Sequence, residues 1–509
     1  MSRVFTAADW PDVIGGERKQ RLFGQQVTLK CDTVIVGSGA GGAATAAELA
    51  ERGQDVIVLE EGGYHTRFEA QTSKMVQMLY RDGGVTLAAG RPPVIVSEGR
   101  CVGGSTTVNG GMSWRTPEEI LARWQTEHGL GELLSPVTEQ IFERVERLIS
   151  ARLNDEHTIG RDNALLRDGA KQRGWKVIPN IRNQVHCAGS NNCAFGCPTG
   201  AKQSTLVSYL PRAMHFGARV FADCRVDRVL FRGKRAVGVS GSVARHDRQI
   251  RFRVLADRVV VAAGASQTPA LLARSGIKHH QLGRNLALHP NTKVIALFDE
   301  PVRGYEGAHQ LYQVREFERE GILMAAVNIP PAVVAMTLRS YGPRLHRLMQ
   351  RYNDMVCAGL LVEDSVCGRV WTVPGGRPLM SYQISDFDAQ RLQRGTILLC
   401  QLLFDVGATR IVLPFDGVAD LTSPDDLQRL KSQPIDKHHV ELSSVHIMCT
   451  ARMGGDPKRH VCDPHGAVYD RQQLYVCDAS LFPTPIGVNP METVMALATR
   501  NAAHIAATA

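Results

Sequence analysis

CDTVIVGSGAGGAATAAELAERGQDVIVLEEGG, from Cys31 to Gly63, is the stretch whose reading decides the fold. Thr33 to Val36 reads as a buried strand, and Gly37, Gly39 and Gly42 follow it in G-x-G-x-x-G spacing. The alanine-rich run beyond them predicts a helix to about Arg52, with Gly53 where a helix C-terminus favours glycine. Val56 to Leu59 predicts a second strand, and it ends in Glu60. Each part meets a separate physical need. Gly37 permits the tight turn, Gly39 lets the backbone approach a pyrophosphate, and Gly42 lets helix and sheet pack closely. The helix N-terminus holds the anion, and Glu60 takes the ribose hydroxyls. A glycine-rich turn without a ligand leaves Glu60 unexplained, so the stretch is a dinucleotide site. The motif alone does not separate NAD from FAD.

Composition bounds the rest. The chain has 509 residues, 44% apolar and 21% charged, enough to bury a large core. Its formal charge is +9 with no run of five Lys or Arg, and no DNA- or RNA-reading signature appears, which argues against a nucleic-acid partner. Acidic substrates and peripheral association with a membrane surface stay open. The N-terminus MSRVFTAADWPDVIGGERKQ has no apolar core of a signal peptide, and no apolar run reaches 18 residues. Twelve cysteines without a leader suggest reduced thiols and a cytoplasmic setting, with export alongside a partner left open.

Three further segments carry a specific pattern: EGRCVGGSTTVNGGMSW (Glu98 to Trp114), VVVAAGASQTPALLARSGI (Val259 to Ile277) and LYVCDASLFPTPIGVNPMETVMALATRNAAHIA from Leu474. With the first stretch they resemble, in order and over nearly the whole length, the glucose–methanol–choline (GMC) oxidoreductase family, which uses FAD. The resemblance implies an α/β fold, with a discontinuous doubly wound FAD-binding domain and an antiparallel-sheet substrate domain. It implies that Gly103, Gly104, Ser105 and Asn109 run along the flavin, and that Gly264, Thr268 and Pro269 form a second signature turn. It also implies that Val226 offers its backbone to adenine and that Asp478 lies near the ribityl and pyrophosphate region. Members with covalent FAD carry a His at the position that is Val108 here, so noncovalent FAD is expected.

SSVHIMCTARMGGDP contains His446, and Asn489 follows 43 residues later in GVNPMETVMALA. These match the family's catalytic pair, although Cys449 stands where the family usually has Gly. The chemistry asks for such a pair. Removing a hydride from an alcohol carbon requires a base for the hydroxyl proton, and a neutral imidazole can accept it near neutral pH. An Asn amide can hold the oxygen and donate to the developing alkoxide. Pro490 reads as the first residue of a helix whose N-terminus favours negative charge on the reduced flavin. His465 reads as structural, and His289 reads as near the flavin but matches no catalytic position.

HCAGSNNCAFGCPTGAK, residues 186–202, places Cys187, Cys193 and Cys197 in C-x5-C-x3-C spacing. It resembles both the family's sugar dehydrogenases, which carry a three-cysteine [3Fe-4S] cluster, and its long-chain alcohol oxidases. A [3Fe-4S] cluster, a tight loop of non-ligating thiols, and a disulfide or zinc site all stay open. His186 is too near Cys187 to serve easily as a fourth ligand.

The FAD-binding domain is expected over 28–110, 205–300 and 446–509, and the substrate domain over 111–204 and 301–445. GRVWTVPGGRPLMSYQIS (Gly368 to Ser385) predicts two strands around its PGGRP turn, and a helix is expected from Asp388 to about Val406, stopped at Gly407. The Met- and Leu-rich stretch from Gly321 to Met355 favours a bulky or hydrophobic alcohol, with a sugar second. The expected activity is FAD-dependent alcohol oxidation, with electrons leaving to a partner subunit, cytochrome, quinone or oxygen, and a dehydrogenase favoured over an oxidase. A sugar dehydrogenase with a cluster relay, or a lyase or decarboxylase on the same fold, are the alternatives.

Overall fold

The computed structural model describes residues 4–10, 27–69, 71–245, 248–432 and 434–508. Part of the N-terminal stretch read above for a leader, residues 1–3 and 11–20, lies outside the described residues.

Five parallel strands stand side by side in the first sheet: Val4–Phe5, Arg219–Phe221, Val56–Leu59, Val27–Val36 and Arg248–Val261. Leu474–Val476 adds a sixth parallel strand against the end of Arg248–Val261. Cys224–Arg232 and Arg235–Arg245 extend the other part of that long strand as an antiparallel meander. Alternate residues serve opposite faces. Val34, Val36, Ile57, Leu59, Val259 and Val261 join one apolar cluster. Ile35, Val56, Val58 and Val260 join another, under the helices Ala40–Glu51 and Met491–Ala507. A strand buried on both faces must be apolar throughout, which is why the sequence there shows no alternation. Strand order reverses beside Val27–Val36, since Val56–Leu59 lies on one side and Arg248–Val261 on the other. That is where a crevice opens outside the carboxyl ends of the strands.

The second sheet runs Arg284–Leu286, Gly368–Thr372, Pro378–Ser381, Thr86–Ala89, Val94–Val96, Leu442–Ser444, Asn291–Leu297, Met355–Val362, Ile322–Ala326, Tyr312–Val314, Val177–Pro179. Arg410–Val412 adds to Asn291–Leu297. It is antiparallel except where Pro378–Ser381 meets Thr86–Ala89 and where Leu442–Ser444 meets Val94–Val96. Its outer face buries Leu360 and Ile322 against Leu392, Leu399 and Leu403 of the helix Asp386–Asp405. That helix starts two residues before the expected Asp388, because the Ser385 hydroxyl accepts from the Asp388 N–H and caps it. The PGGRP turn joins two paired strands, with φ of 87° and 76° at Gly375 and Gly376.

The strands do not sort by the expected boundaries. Thr86–Ala89, Val94–Val96 and Asn291–Leu297, read as part of the FAD-binding segments, pair into the second sheet. The helices Glu118–His128 and Pro136–Ile149, read as part of the substrate segments, bury Trp124, Phe142 and Val145 against the clusters of the first sheet. Motif positions mark the ligand contacts and not which sheet completes the strand edges, so they misplace these crossings.

A Cβ added at Gly41 would lie 1.7 Å from the carbonyl oxygen of Cys477, at the end of Leu474–Val476. Gly41→Ala is therefore expected to destabilise the apoprotein by about 2–3 kcal/mol, the usual cost of overpacking. A urea midpoint equal to that of the unsubstituted apoprotein would show that the contact does not matter.

Candidate active site

A cavity of about 770 Å³ is lined by both sheets. Its floor is the carboxyl edge of the first sheet, where Gly37, Glu60, Gly264 and Asp478 each follow a parallel strand. Gly37 has φ of 105°, and a Cβ there would stand 2.2 Å from the Ala262 oxygen. A Cβ at Gly42 would stand 2.0 Å from the Gly37 oxygen, so Gly42 serves helix–sheet packing as expected. Gly39 differs from both. The nearest atom to a Cβ there is the Gly104 Cα at 4.0 Å, and both residues line the cavity. A Cβ at Gly264, with φ of 86°, would meet nothing within 4 Å. These three positions leave a side-chain-free cradle at the start of the helix Ala40–Glu51, whose first N–H groups have no helical acceptor. The residues fit a dinucleotide pyrophosphate.

Glu60 is buried at the wall of this cradle. Its Oε2 accepts from the Ser38 hydroxyl (2.6 Å) and N–H (3.0 Å), and its Oε1 from the Gly62 N–H (2.8 Å). Burial pushes its carboxyl pKa up, and the Ser38 and Gly62 bonds oppose this. Ser38, unassigned from the sequence, links the two glycine segments, because its hydroxyl also accepts from the Gly103 N–H at 2.9 Å. Asp478 is a second buried carboxylate with every bond internal. It accepts from the Gly264 N–H (2.9 Å), the Thr268 hydroxyl (2.5 Å) and the Ser480 N–H (2.8 Å). Asp478 thus shapes the signature turn at Gly264 while lining the cavity.

The 103–109 segment also lies on the cavity. Gly103 and Gly104 have φ of 94° and 53°, and Ser105–Val108 makes one helical turn. The Ser105 hydroxyl accepts from the Gly99 N–H, and Asn109 Oδ1 accepts from the Gly111 N–H, each at 3.0 Å. Val226 lines the far end, with its carbonyl accepting from Arg274 at 2.9 Å.

His446 and Asn489, 43 residues apart, meet at this cavity, with the Asn489 amide nitrogen 3.2 Å from His446 Nε2. Burial lowers the His446 pKa to about 4, so the ring is neutral at physiological pH. The helix Met491–Ala507 begins one residue after Pro490, which is its cap and not its first turn. A third ring, which the sequence set near the flavin but at no catalytic position, joins the pair: His289 Nδ1 lies 3.2 Å from His446 Nδ1.

The three cysteines are not gathered. Among the described residues no three His, Cys, Asp or Glu side chains are placed to hold a metal ion, so the structure adds no support to the [3Fe-4S] reading of Cys187, Cys193 and Cys197. All three are free thiols. What holds this loop is a pair of buried cations. Lys202 Nζ donates to the carbonyls of Thr107 (2.8 Å), Asn109 (2.8 Å) and Cys193 (2.6 Å). Arg182 donates to the Gly110 carbonyl (2.6 Å) and to Cys193 Sγ (3.1 Å). Burial lowers the Lys202 pKa to about 8. The loop therefore braces the 103–110 segment from behind, which the lysine of GCPTGAK signals once its burial is known.

Comparison with known proteins agrees with this geometry. Two signatures described as GMC oxidoreductase match residues 76–291 and 372–498, and one described as FAD binding domain matches 32–79. The chain is 38% identical to the uncharacterized GMC-type oxidoreductase Rv0492c of Mycobacterium tuberculosis, covering 92% of this chain and 75% of that one. It is 27% identical to the long-chain-alcohol oxidase FAO1 of Arabidopsis thaliana, covering 92% and 66%. Pyridoxine 4-oxidase from Mesorbium loti shares the fold, with a TM-score of 0.72, 18% identity and 93% and 99% coverage. The chain belongs to the GMC oxidoreductase family, with that family's FAD-binding and substrate domains, and is an FAD-dependent oxidoreductase. No helix among the described residues is long and apolar enough to cross a membrane.

The cradle gives a direct test. Gly39→Ala puts a methyl into the pyrophosphate space without touching protein atoms closer than 4.0 Å. The expected outcome is an apoprotein with an unchanged urea midpoint and FAD affinity lowered at least about tenfold by steric exclusion. Equal FAD affinity by flavin fluorescence titration would remove Gly39 from the site.

Proposed function

We propose that the protein oxidises apolar alcohols to aldehydes or ketones, with His446 as base and Asn489 holding the reacting oxygen. The observation that carries this is a neutral, buried imidazole paired with an amide in the same cavity as the dinucleotide cradle. Bound FAD supplies the hydride acceptor. His446 Nε2 takes the hydroxyl proton, and the Asn489 amide donates to the oxygen as negative charge develops. Val108 borders the cavity where a covalent attachment would need a nucleophilic ring, which supports noncovalent FAD. The proposed acceptor is oxygen or a quinone reaching the flavin. The FAD-binding part is taken to be the first sheet with its helices, and the substrate part the second sheet.

The substrate side of the cavity supports an apolar chain. Leu323, Ala325, Val327, Ile329, Val333 and Met336 line it in order along the chain. Met336 is 73% exposed, so the apolar track reaches the surface, where a long tail can leave. Similarity to a long-chain-alcohol oxidase is consistent with this.

Two measurements test the reading. Across a series of primary n-alkanols, kcat/KM is expected to rise about fourfold per methylene until the track is filled, from about 0.8 kcal/mol per buried CH₂. A flat or falling series would overturn the apolar assignment. Because His446 acts when unprotonated and its pKa is lowered to about 4, the rate of anaerobic flavin reduction should be level from about pH 6 to 9 and fall only as pH approaches 4. His446→Ala should lower that rate by about 10²- to 10⁴-fold. Retention of the full rate would dismiss His446 as base.

A further inference from the structure

Ala88, Val94, Val96, Val370 and Met380 of the second sheet turn into the apolar cluster that packs on the helix Asp386–Asp405. Their strand neighbours therefore turn to the opposite face, the one that borders the cavity. That face does not stop where the cavity does. Ile95 lines the cavity, and Leu87 pairs with it. Leu379 lies beside Leu87, because Met380 is in register with Ala88, and Trp371 pairs with Leu379. Side chains so placed are neighbours. The row runs out of the cavity into solvent, with Leu87, Leu379 and Trp371 between 43% and 47% exposed.

The row starts at the mouth of the apolar track. Val85, two residues before Leu87, lines the cavity and is 60% exposed. The helix Thr72–Leu79 links it to Met336, the residue where the track reaches the surface. A Cβ on Gly84 would stand 2.8 Å from Val76 Cγ1, and Val76 packs in one cluster with Val333, three residues before Met336. Single exposed apolar side chains are ordinary, whereas a connected strip at the mouth of an apolar cavity marks a surface that is covered in use.

Arginines border the strip. The Arg369 guanidinium stacks 3.5 Å from the Trp371 ring centre. Arg284 is in register with Arg369 on the neighbouring strand, and Arg377 stands in the turn of the same hairpin. Among the described residues none of these three makes an ion pair. Like charges set opposite each other repel, and an anion placed against them removes the penalty. An acidic protein and an anionic bilayer both supply such anions. The bilayer is favoured because the strip begins at the opening through which a long tail leaves, and a protein seated there would close it. A tryptophan flanked by arginines also suits the bilayer interface, with the ring among the headgroups and the guanidinium groups at the phosphates.

We propose that Val85, Leu87, Leu379 and Trp371, with Arg284, Arg369 and Arg377, form a docking surface for an anionic lipid bilayer. Docked there, the protein draws an alcohol from the lipid leaflet into the track without passing its tail through water. That use rests on the function proposed above, and the docking itself does not.

The experiment is flotation of the FAD-loaded full chain with vesicles of phosphatidylcholine, alone or with about 30% phosphatidylglycerol, a composition that gives the surface a negative potential. Wild type is expected to partition at least about tenfold more strongly onto the anionic vesicles. Trp371→Ser with Leu379→Ser should lower that partition at least about tenfold by removing apolar contact. Arg284→Gln with Arg377→Gln should lower it about fivefold per arginine, and only on the anionic vesicles. Leu134→Ser with Val137→Ser removes two exposed apolar side chains elsewhere, at the start of the helix Pro136–Ile149, and should bind as wild type does. Wild type that stays off anionic vesicles overturns the proposal, as does a strip or arginine variant that binds like wild type, or a control that falls as far as they do. A wild-type dimer that the strip variant splits, with no flotation, assigns the surface to a second copy of the chain and overturns the bilayer. If the strip variant loses FAD, the arginine variant decides. Flavin left oxidised by every alcohol overturns the proposed function and leaves the flotation result standing, so the two failures are distinct.

Discussion

The site depends on backbone meeting backbone at the carboxyl edge of the parallel sheet. Gly37 lies under the Ala262 carbonyl, and Gly41 under the Cys477 carbonyl, at distances that leave no room for a Cβ. Those contacts bring the ends of Val27–Val36, Arg248–Val261 and Leu474–Val476 together. Because the strand ends converge, residues from four distant parts of the chain reach one cavity. The helix start at Ala40 is aimed into it, and Gly39, Gly104 and Gly264 stay bare for a ligand. Glycine thus has two different uses within a few residues, close packing at Gly37, Gly41 and Gly42 and open space at Gly39.

Buried carboxylates then stiffen the edge. Glu60, Asp478 and Asp364 each sit in a dry environment that raises their pKa, and each is surrounded by backbone N–H or hydroxyl donors. An unpaired buried charge would be expensive, so these donors are a condition of the fold and not an ornament on it. Glu60 and Asp478 fix the turns beneath the cofactor site, and Asp364 fixes the segment that presents His289. On the opposite side Lys202 does the same with reversed sign, gathering three carbonyls behind the 103–110 segment. The same desolvation lowers the pKa of His446 and keeps its ring neutral near pH 7.

The two sheets divide the work. The parallel one offers strand ends and helix starts, which suit phosphates. The other presents one face to the helix Asp386–Asp405 and the opposite face to the cavity. Along Ile322–Ala326, Ile322, Met324 and Ala326 join the outward cluster while Leu323 and Ala325 line the cavity, which Met324 also borders. Period-two alternation there turns a strand into a cavity wall whose chemistry can change without disturbing the core.

Cys31 to Gly63 by itself determined the dinucleotide turn, because the glycine spacing, both strand runs and Glu60 are local features read within one βαβ unit. The GMC pattern in the sequence also placed His446 and Asn489, and the PGGRP hairpin followed from its turn residues. Contacts between distant segments were beyond it. Ser38 as a link between two glycine segments, Gly41 under Cys477, and the crossing of Thr86–Ala89 and Val94–Val96 into the second sheet depend on which strand edges meet. The cysteine spacing invited a metal cluster, but spacing carries no direction for the side chains, and the fold turns the loop inward around Lys202 and Arg182. Among 17 histidines the sequence set His289 near the flavin but at no catalytic position. Only the fold brought its ring to His446, across 157 residues of chain.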